Sequence, residues 1–261
     1  MRWRTVSEFK HEGRTMLVKR LGAEEGPQFV LVHGIGVGTS YYHRLAQALA
    51  RFGEVHVVEL PGMGRAPRPE EPMSIEDFAE ILSAYLLAED VPDPVLVGHS
   101  MGTQIVMEAS LQHPDRFRRL VLLGTVVDSR ERTALRQGLR LLQDCLFFES
   151  PPSNVAVLAD YLRTGVRWYA ATLPAMLGYR TEDAARRVTA ETIVIRGERD
   201  PISRRWWAER LEEAIPAARF IEVPRKGHVV MYTATEAVVD AIVELAQLPQ
   251  PRLAEPGLDP L

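Results

Sequence analysis

Largely apolar segments recur along the chain and read as strands: Phe29 to Val32, Val55 to Leu60, Val95 to Val97, Leu120 to Leu123, Thr192 to Ile195 and Arg219 to Val223, the first, third and fourth wholly apolar. A continuous apolar run such as Phe29 to Val32 suits a strand covered on both faces of a parallel sheet. Between them lie segments with apolar residues at helical spacing. The clearest is capped by Ser74, with Asp77 three residues on and Ile75, Phe78, Ile81, Leu82 and Tyr85 marking one face. Further helices are predicted over about 41–52, 104–112, 203–215 and 233–248. Thr5 to Lys10 and Thr15 to Leu21 read as a hairpin turning at Gly13, covering a sheet edge. Alternation of strand and helix predicts an α/β fold with a mostly parallel central sheet flanked by helices. Right-handed crossovers then place functional loops at the carboxyl ends of the strands.

That alternation is interrupted once. From Gly124 to Thr192 the chain takes about 65 residues, where connections of roughly 2–6 are usual. Segments 130–148, 155–177 and 182–188 have helical periodicity, broken at Pro151-Pro152 and Pro174, and read as an inserted helical cap. The expected organisation is a core of residues 1–125 and 190–248, a cap of 126–189 and a disordered tail of 249–261. The cap holds Phe147, Phe148, Tyr161, Trp168, Tyr169 and Tyr179.

Composition narrows the partners more than the reaction. A net charge of -4, with no basic block at either end, argues against nucleic acid and against a membrane surface. No apolar run approaches the roughly 18 residues of a membrane span and no signal peptide is legible, so a cytoplasmic location is expected. The single cysteine, Cys145, allows no internal disulfide and no cysteine-based metal site. A homo-oligomer is left open.

The chemistry concentrates on Val95-Leu96-Val97-Gly98-His99-Ser100-Met101-Gly102-Thr103, a strand passing through a serine flanked by glycines into a helix. It reads as a nucleophile elbow, with the positive end of the helix dipole directed at developing negative charge. A serine nucleophile requires a base, a group to hold that base, and donors for an oxyanion. Asp200 and His228 both follow predicted strand ends, in the chain order Ser, Asp, His expected of this arrangement. Asp200 could instead cap the helix beginning near Arg204, and Asp128, beyond the strand ending at Leu123, is an alternative acid. The backbone N–H groups of Ile35 and Met101 are the expected oxyanion donors. His33 and His99 are expected to pack behind the elbow; His11, His43 and His113 read as surface histidines. The Gly34-Ile35-Gly36-Val37-Gly38 run lacks a third glycine at Thr39 and a ribose-binding acid, which sets a dinucleotide site aside.

His33-Gly34-Ile35-Gly36, Gly98-His99-Ser100-Met101-Gly102, Gly197-Glu198-Arg199-Asp200 and Gly227-His228 together resemble the α/β-hydrolase fold superfamily, in its serine hydrolase branch with a helical cap, from about residue 29 to 245. The resemblance implies a cofactor-free enzyme with no metal, acting on a small-molecule ester or acyl substrate. Serine at position 100 speaks against the dehalogenase and epoxide hydrolase branches, which place aspartate there. Carbon–carbon bond hydrolases commonly carry tryptophan after the catalytic histidine, where this chain has Val229. The Pro61-Gly62-Met63-Gly64 loop matches the family, although Arg65-Ala66 stands where serine is common. Carboxylesterase action on a small to medium, largely apolar ester is therefore expected. Thioesterase, perhydrolase or acyltransferase action would use the same residues, and some members of the fold are ligand receptors. Trp168, Met176, Leu177, Ile202 and Val229 are expected to form the pocket wall.

Overall fold

The computed structural model describes residues 5–149 and 151–247. Eight strands form one sheet in the order β1-β2-β4-β3-β5-β6-β7-β8: β1 (Thr5–His11), β2 (Arg14–Leu21), β3 (Gln28–Val32), β4 (Glu54–Glu59), β5 (Val95–His99), β6 (Arg119–Leu123), β7 (Glu191–Gly197) and β8 (Ala218–Val223). β1 pairs antiparallel with β2, and β2 with β4; every other pairing is parallel. The strands β3 to β6 are wholly buried; β3, β5 and β6 are largely apolar, while β4 buries Glu54, His56 and Glu59 among its apolar residues. The hairpin turns through Glu12 and Gly13, both at positive φ, and supplies the sheet edge.

Helices cover both faces. A 3-10 turn (Ser40–Tyr42) leads into α1 (His43–Leu49), shorter than the predicted 41–52. Next come α2 (Ile75–Ala88), with a full Ser74/Asp77 capping box, and α3 (Met101–Gln112). After the insertion follow α8 (Arg205–Ala214), α9 (Val230–Thr233) and α10 (Thr235–Gln247). Two apolar clusters lie on opposite sides of the sheet. One joins α2, α3 and α8 through Phe78, Leu82, Ile105 and Trp207; the other joins α1 and α10 through Leu45, Leu49, Val238 and Ile242.

Strand order reverses between β3 and β5, because the chain runs outward from β3 to β4 and returns to β5 on the other side. In open α/β sheets such a reversal leaves a crevice beyond the strand ends. The register places Val32 beside Gly98 and His99 beside Leu123, so the loops after β3, β5 and β6 meet there.

The insertion between β6 and β7 comprises α4 (Ala134–Phe147), α5 (Pro151–Thr164), α6 (Val166–Gly178) and α7 (Thr181–Ala185). Its boundaries differ from the expected ones for local reasons. Pro151 and Pro152 open α5 instead of separating two helices, since the first turn needs no N–H from them. The predicted helix over 155–177 divides at Gly165, whose φ of 79° no helix can contain, while Pro174 sits inside α6. The expected tail of 249–261 lies outside the described residues. No helix among the described residues is long and apolar enough to cross a membrane.

Candidate active site

The turn from β5 into α3 carries Ser100 with φ 54° and ψ -122°, a strained combination for a residue with a Cβ. The neighbouring glycines make it sterically feasible. A Cβ at Gly98 would lie 2.3 Å from the Gly102 carbonyl oxygen, and one at Gly102 would lie 2.2 Å from that of Val32. Backbone therefore crosses backbone on both sides of the serine, and the Ser100 N–H donates to the Leu123 carbonyl at 3.0 Å.

Asp200 and His228 come together from the ends of β7 and β8. Nδ1–H of His228 donates to Asp200 Oδ2 at 2.8 Å. The other carboxylate oxygen, Oδ1, accepts the backbone N–H groups of Ile202 at 2.8 Å and Ser203 at 2.9 Å. Asp200 thus makes the local turn that a capping residue would make and also holds the imidazole, both with its own side chain. The buried Arg196 fixes this turn from beneath, donating to the carbonyls of Ser203, Glu198 and Asp200. Asp128, the alternative acid, is committed elsewhere: its Oδ2 receives two hydrogen bonds from Arg204, at 3.0 and 2.6 Å.

With Nδ1 bound to Asp200, Nε2 of His228 is the ring atom left to act as a base. Burial disfavours the imidazolium, but the Asp200 carboxylate and its hydrogen bond, and next Asp144 and Glu149, outweigh it and raise the His228 pKa to about 9. His99 moves the opposite way, well below its ordinary range, first through burial and then through the charge of His228. Burial likewise lowers His33. Both therefore stay neutral behind the elbow.

Their hydrogen bonds fix their tautomers and tie the site's loops together. The Leu60 N–H donates to Nε2 of His33 at 3.0 Å, so His33 donates through Nδ1 to the Gly34 carbonyl at 2.8 Å. The Gly34 N–H donates to Tyr41 Oη at 3.0 Å, and the Tyr41 hydroxyl donates to Nδ1 of His99 at 3.0 Å. Nε2–H of His99 in turn donates to the His228 carbonyl at 3.2 Å. This relay connects the loop after β3 to the loop after β8. The N–H groups of Ile35 and Met101 make no hydrogen bond within the described residues.

A cavity opens over these groups, and Ser100, His228 and Ile35 all face it. Of the five residues expected in its wall, Met176, Ile202 and Val229 are there. Trp168 and Leu177 are not. The Trp168 indole packs over Gly62, about 80° around α6 from Met176, and Leu177 lies about 100° from Met176 in the other direction. Tyr41, Leu141, Val157, Tyr161 and Tyr169 take up the apolar wall instead.

The remaining wall is polar and comes from the cap. Asp144 on α4, 1% exposed, accepts the His228 backbone N–H at 3.1 Å, and Glu149 accepts that of Val229 at 2.7 Å. Burial pushes the Asp144 carboxyl up to about 7. Nothing in the sequence pattern marked either acid, because each sits in a helix or turn whose polar positions would ordinarily face water. Asp160 on α5, also buried, accepts the Gly38 N–H at 3.0 Å, bonds the Ser40 hydroxyl and pairs with Arg163 at 2.7 Å. The cap is thereby pinned to the loop after β3 as well as to the histidine loop.

A parallel sheet with reversed strand order, a strained serine at one strand end and an Asp-His pair at two others define the architecture of an α/β hydrolase. The match to the alpha/beta hydrolase family extends over residues 29–241, and the chain belongs to that family. The chain is 30% identical over 242 residues to the polyketide synthase ThaQ of Burkholderia thailandensis, covering 84% of this chain and 12% of that protein. It is 34% identical over 110 residues to the pimeloyl-[acyl-carrier protein] methyl ester esterase of Aeromonas hydrophila, covering 41% of each. The chain therefore spans well under half the length of these curated relatives. A hydrolase from Pseudomonas aeruginosa superposes with a TM-score of 0.81 at 20% identity, covering 94% of this chain and 99% of that one, and so shares the fold.

Proposed function

We propose that this protein is a serine hydrolase that cleaves a neutral, largely apolar carboxylic ester through an acyl-enzyme. The observation that carries the reading is the 2.8 Å bond from His228 to Asp200 in a cavity that also exposes Ser100 at a strained elbow. Ser100 Oγ attacks the ester carbonyl carbon while His228 Nε2 takes its proton; the negative charge passes to the carbonyl oxygen, facing the free N–H groups of Ile35 and Met101. On collapse the C–O bond breaks, and His228 returns the proton to the departing alkoxide. Water then repeats the sequence on the acyl-serine, releasing the acid and regenerating Ser100.

The cavity supports the substrate class. Its charged lining consists of Asp144 and Glu149 around the histidine, with no arginine or lysine, so a substrate bearing a free carboxylate near the reacting bond would be repelled. The same residues would serve for an acyl group delivered as a thioester on a carrier, a reading favoured by the likeness to a polyketide synthase and to an esterase named for an acyl-carrier substrate.

The test is p-nitrophenol release from acyl esters of increasing chain length, with wild type beside Ser100→Ala. Turnover by wild type with none by the variant supports the reading, and the chain-length optimum gives the depth of the pocket. Equal rates from both proteins, or none from either, would refute it.

A further inference from the structure

The cap is amphipathic in reverse. On α4 the polar Gln137 and Asp144 are buried toward the cavity, while Leu135, Leu139, Leu142 and Leu146 point to water with 55–75% of their surface exposed. Positions i, i+4, i+7 and i+11 form one stripe along a helix. On α5, Asp160 is likewise buried, and Val155, Leu158 and Leu162 form an outward stripe at i, i+3 and i+7. The Asn154 amide donates to the Cys145 carbonyl at 2.7 Å, which holds the two helices side by side. Of the twelve large hydrophobic side chains exposed among the described residues, nine fall between Leu135 and Val166. A concentration of this kind on an otherwise ordinary surface marks an interaction site.

Charge identifies what covers it. Residues 130–170 contain six arginines and four acids, against a net -4 for the whole chain. None of those acids is exposed: Asp144 and Asp160 are buried, and Glu131 and Glu149 are partly buried and hydrogen-bonded inward. Arg136, Arg163 and Arg167 are exposed, and each directly follows an exposed Leu135, Leu162 or Val166. Each arginine therefore lies about 100° around its helix from its exposed apolar neighbour: Arg136 on α4, Arg163 on α5, where it pairs with Asp160, and Arg167 in the first turn of α6. A second copy of this chain packed cap to cap would meet the arginines with a face that exposes no acid between residues 130 and 170 to pair with them. An apolar stripe flanked by cations instead matches a surface with a hydrocarbon interior and anionic headgroups.

We propose that the outer face of α4 and α5, with the first turn of α6, docks the protein on an anionic lipid surface, placing the cavity roof against the phase from which an apolar ester would arrive. This reverses the expectation drawn from net charge, which averages over a surface that is acidic elsewhere and basic on the cap. Docking depends on the outer face alone and stands apart from the reaction proposed for the cavity.

The experiment is co-sedimentation of the full chain with vesicles of phosphatidylcholine, with and without phosphatidylglycerol. Leu139→Ser/Leu142→Ser and Arg136→Gln/Arg167→Gln are run alongside, with circular dichroism confirming that each variant is folded. Wild type is expected to bind anionic vesicles more strongly than neutral ones. The leucine pair should lower partitioning to both at least about tenfold, and the arginine pair should lose roughly fivefold per residue on anionic vesicles only. Absence of wild-type binding, or binding unchanged in the leucine pair, would overturn the proposal. So would a wild-type dimer that the leucine pair dissociates, or binding to a purified acyl carrier protein, if either occurs without vesicle binding.

Discussion

Replacing Asp144 with asparagine keeps an oxygen to accept the His228 N–H and removes one negative charge from the histidine's surroundings. In the wild type, Asp200, Asp144 and Glu149 together hold the His228 pKa at about 9, with His99 neutral beside it. Only a small fraction of the enzyme then has a free base at pH 7, and kcat/KM for a neutral ester should rise with pH along a limb approaching 9. A neighbouring charge within reach moves a pKa by roughly 1–3 units. Asp200, which bonds the ring directly, has the larger share, so about one unit is assigned to Asp144. The Asp144→Asn limb should therefore sit about one unit lower, and kcat/KM at pH 8, where the Asp144 carboxylate is ionised, should rise about fivefold, since one unit is about 1.4 kcal/mol.

The same substitution tests the sign on stability. The folded state holds the Asp144 proton up to about 7, whereas an ordinary aspartate releases it near 3.8. Burying this carboxylate therefore costs stability progressively as pH rises from 3.8 through 7. Asp144→Asn should melt above wild type at pH 8, by at most about 4 kcal/mol, with the gap closing as pH falls toward 4. Rates with p-nitrophenyl esters between pH 5 and 10, with thermal melts over the same range, supply both readings. A limb that does not move, or a variant less stable than wild type at pH 8, would refute the electrostatic account of this cap contact.

Two further substitutions probe the frame around the site. Gly124 at the end of β6 has φ 57°, and a Cβ there would stand 2.8 Å from the His228 ring, so Gly124→Ala should displace the imidazole. A loss of about hundredfold in kcat/KM is expected, with a folded circular dichroism spectrum; near-wild-type kinetics would show that the ring has more room than the geometry allows. Asp160→Ala leaves the Gly38 N–H without its partner and Arg163 without its carboxylate, costing about 1–3 kcal/mol. It should raise KM and quicken proteolysis within the cap, as limited digestion would show; an unchanged cleavage pattern would mean that the cap is held by other contacts.

What could be read from the sequence follows from what periodicity encodes. β3, β5, β6 and β7 are legible because burial on both faces demands mostly apolar residues; Ser100 and Asp200 stand just past such runs, and His228 follows β8, a half-buried strand read from Phe220, Ile221 and Val223. The cap is only half legible. Its helical period is plain in Leu135, Leu139, Leu142 and Leu146, but a period does not say which face is turned inward. The ordinary assumption that leucines face the core inverts α4, hides Asp144 from notice and puts the apolar stripe on the wrong side. The same ambiguity placed Leu177 in the pocket wall, one residue from Met176, which is there. Trp168 misled for a different reason: its partner is the backbone at Gly62, 106 residues away, and no local pattern connects them.

The account rests on Ser100 as a nucleophile activated by His228, and the direct measurement is labelling with a fluorophosphonate followed by mass spectrometry of the tryptic peptides. Wild type should gain one phosphonyl group on Ser100, the label should fail to add to Ser100→Ala, and labelling should track the same pH limb as ester turnover. An unlabelled Ser100 in folded wild type, or equal labelling of the alanine variant, would contradict it.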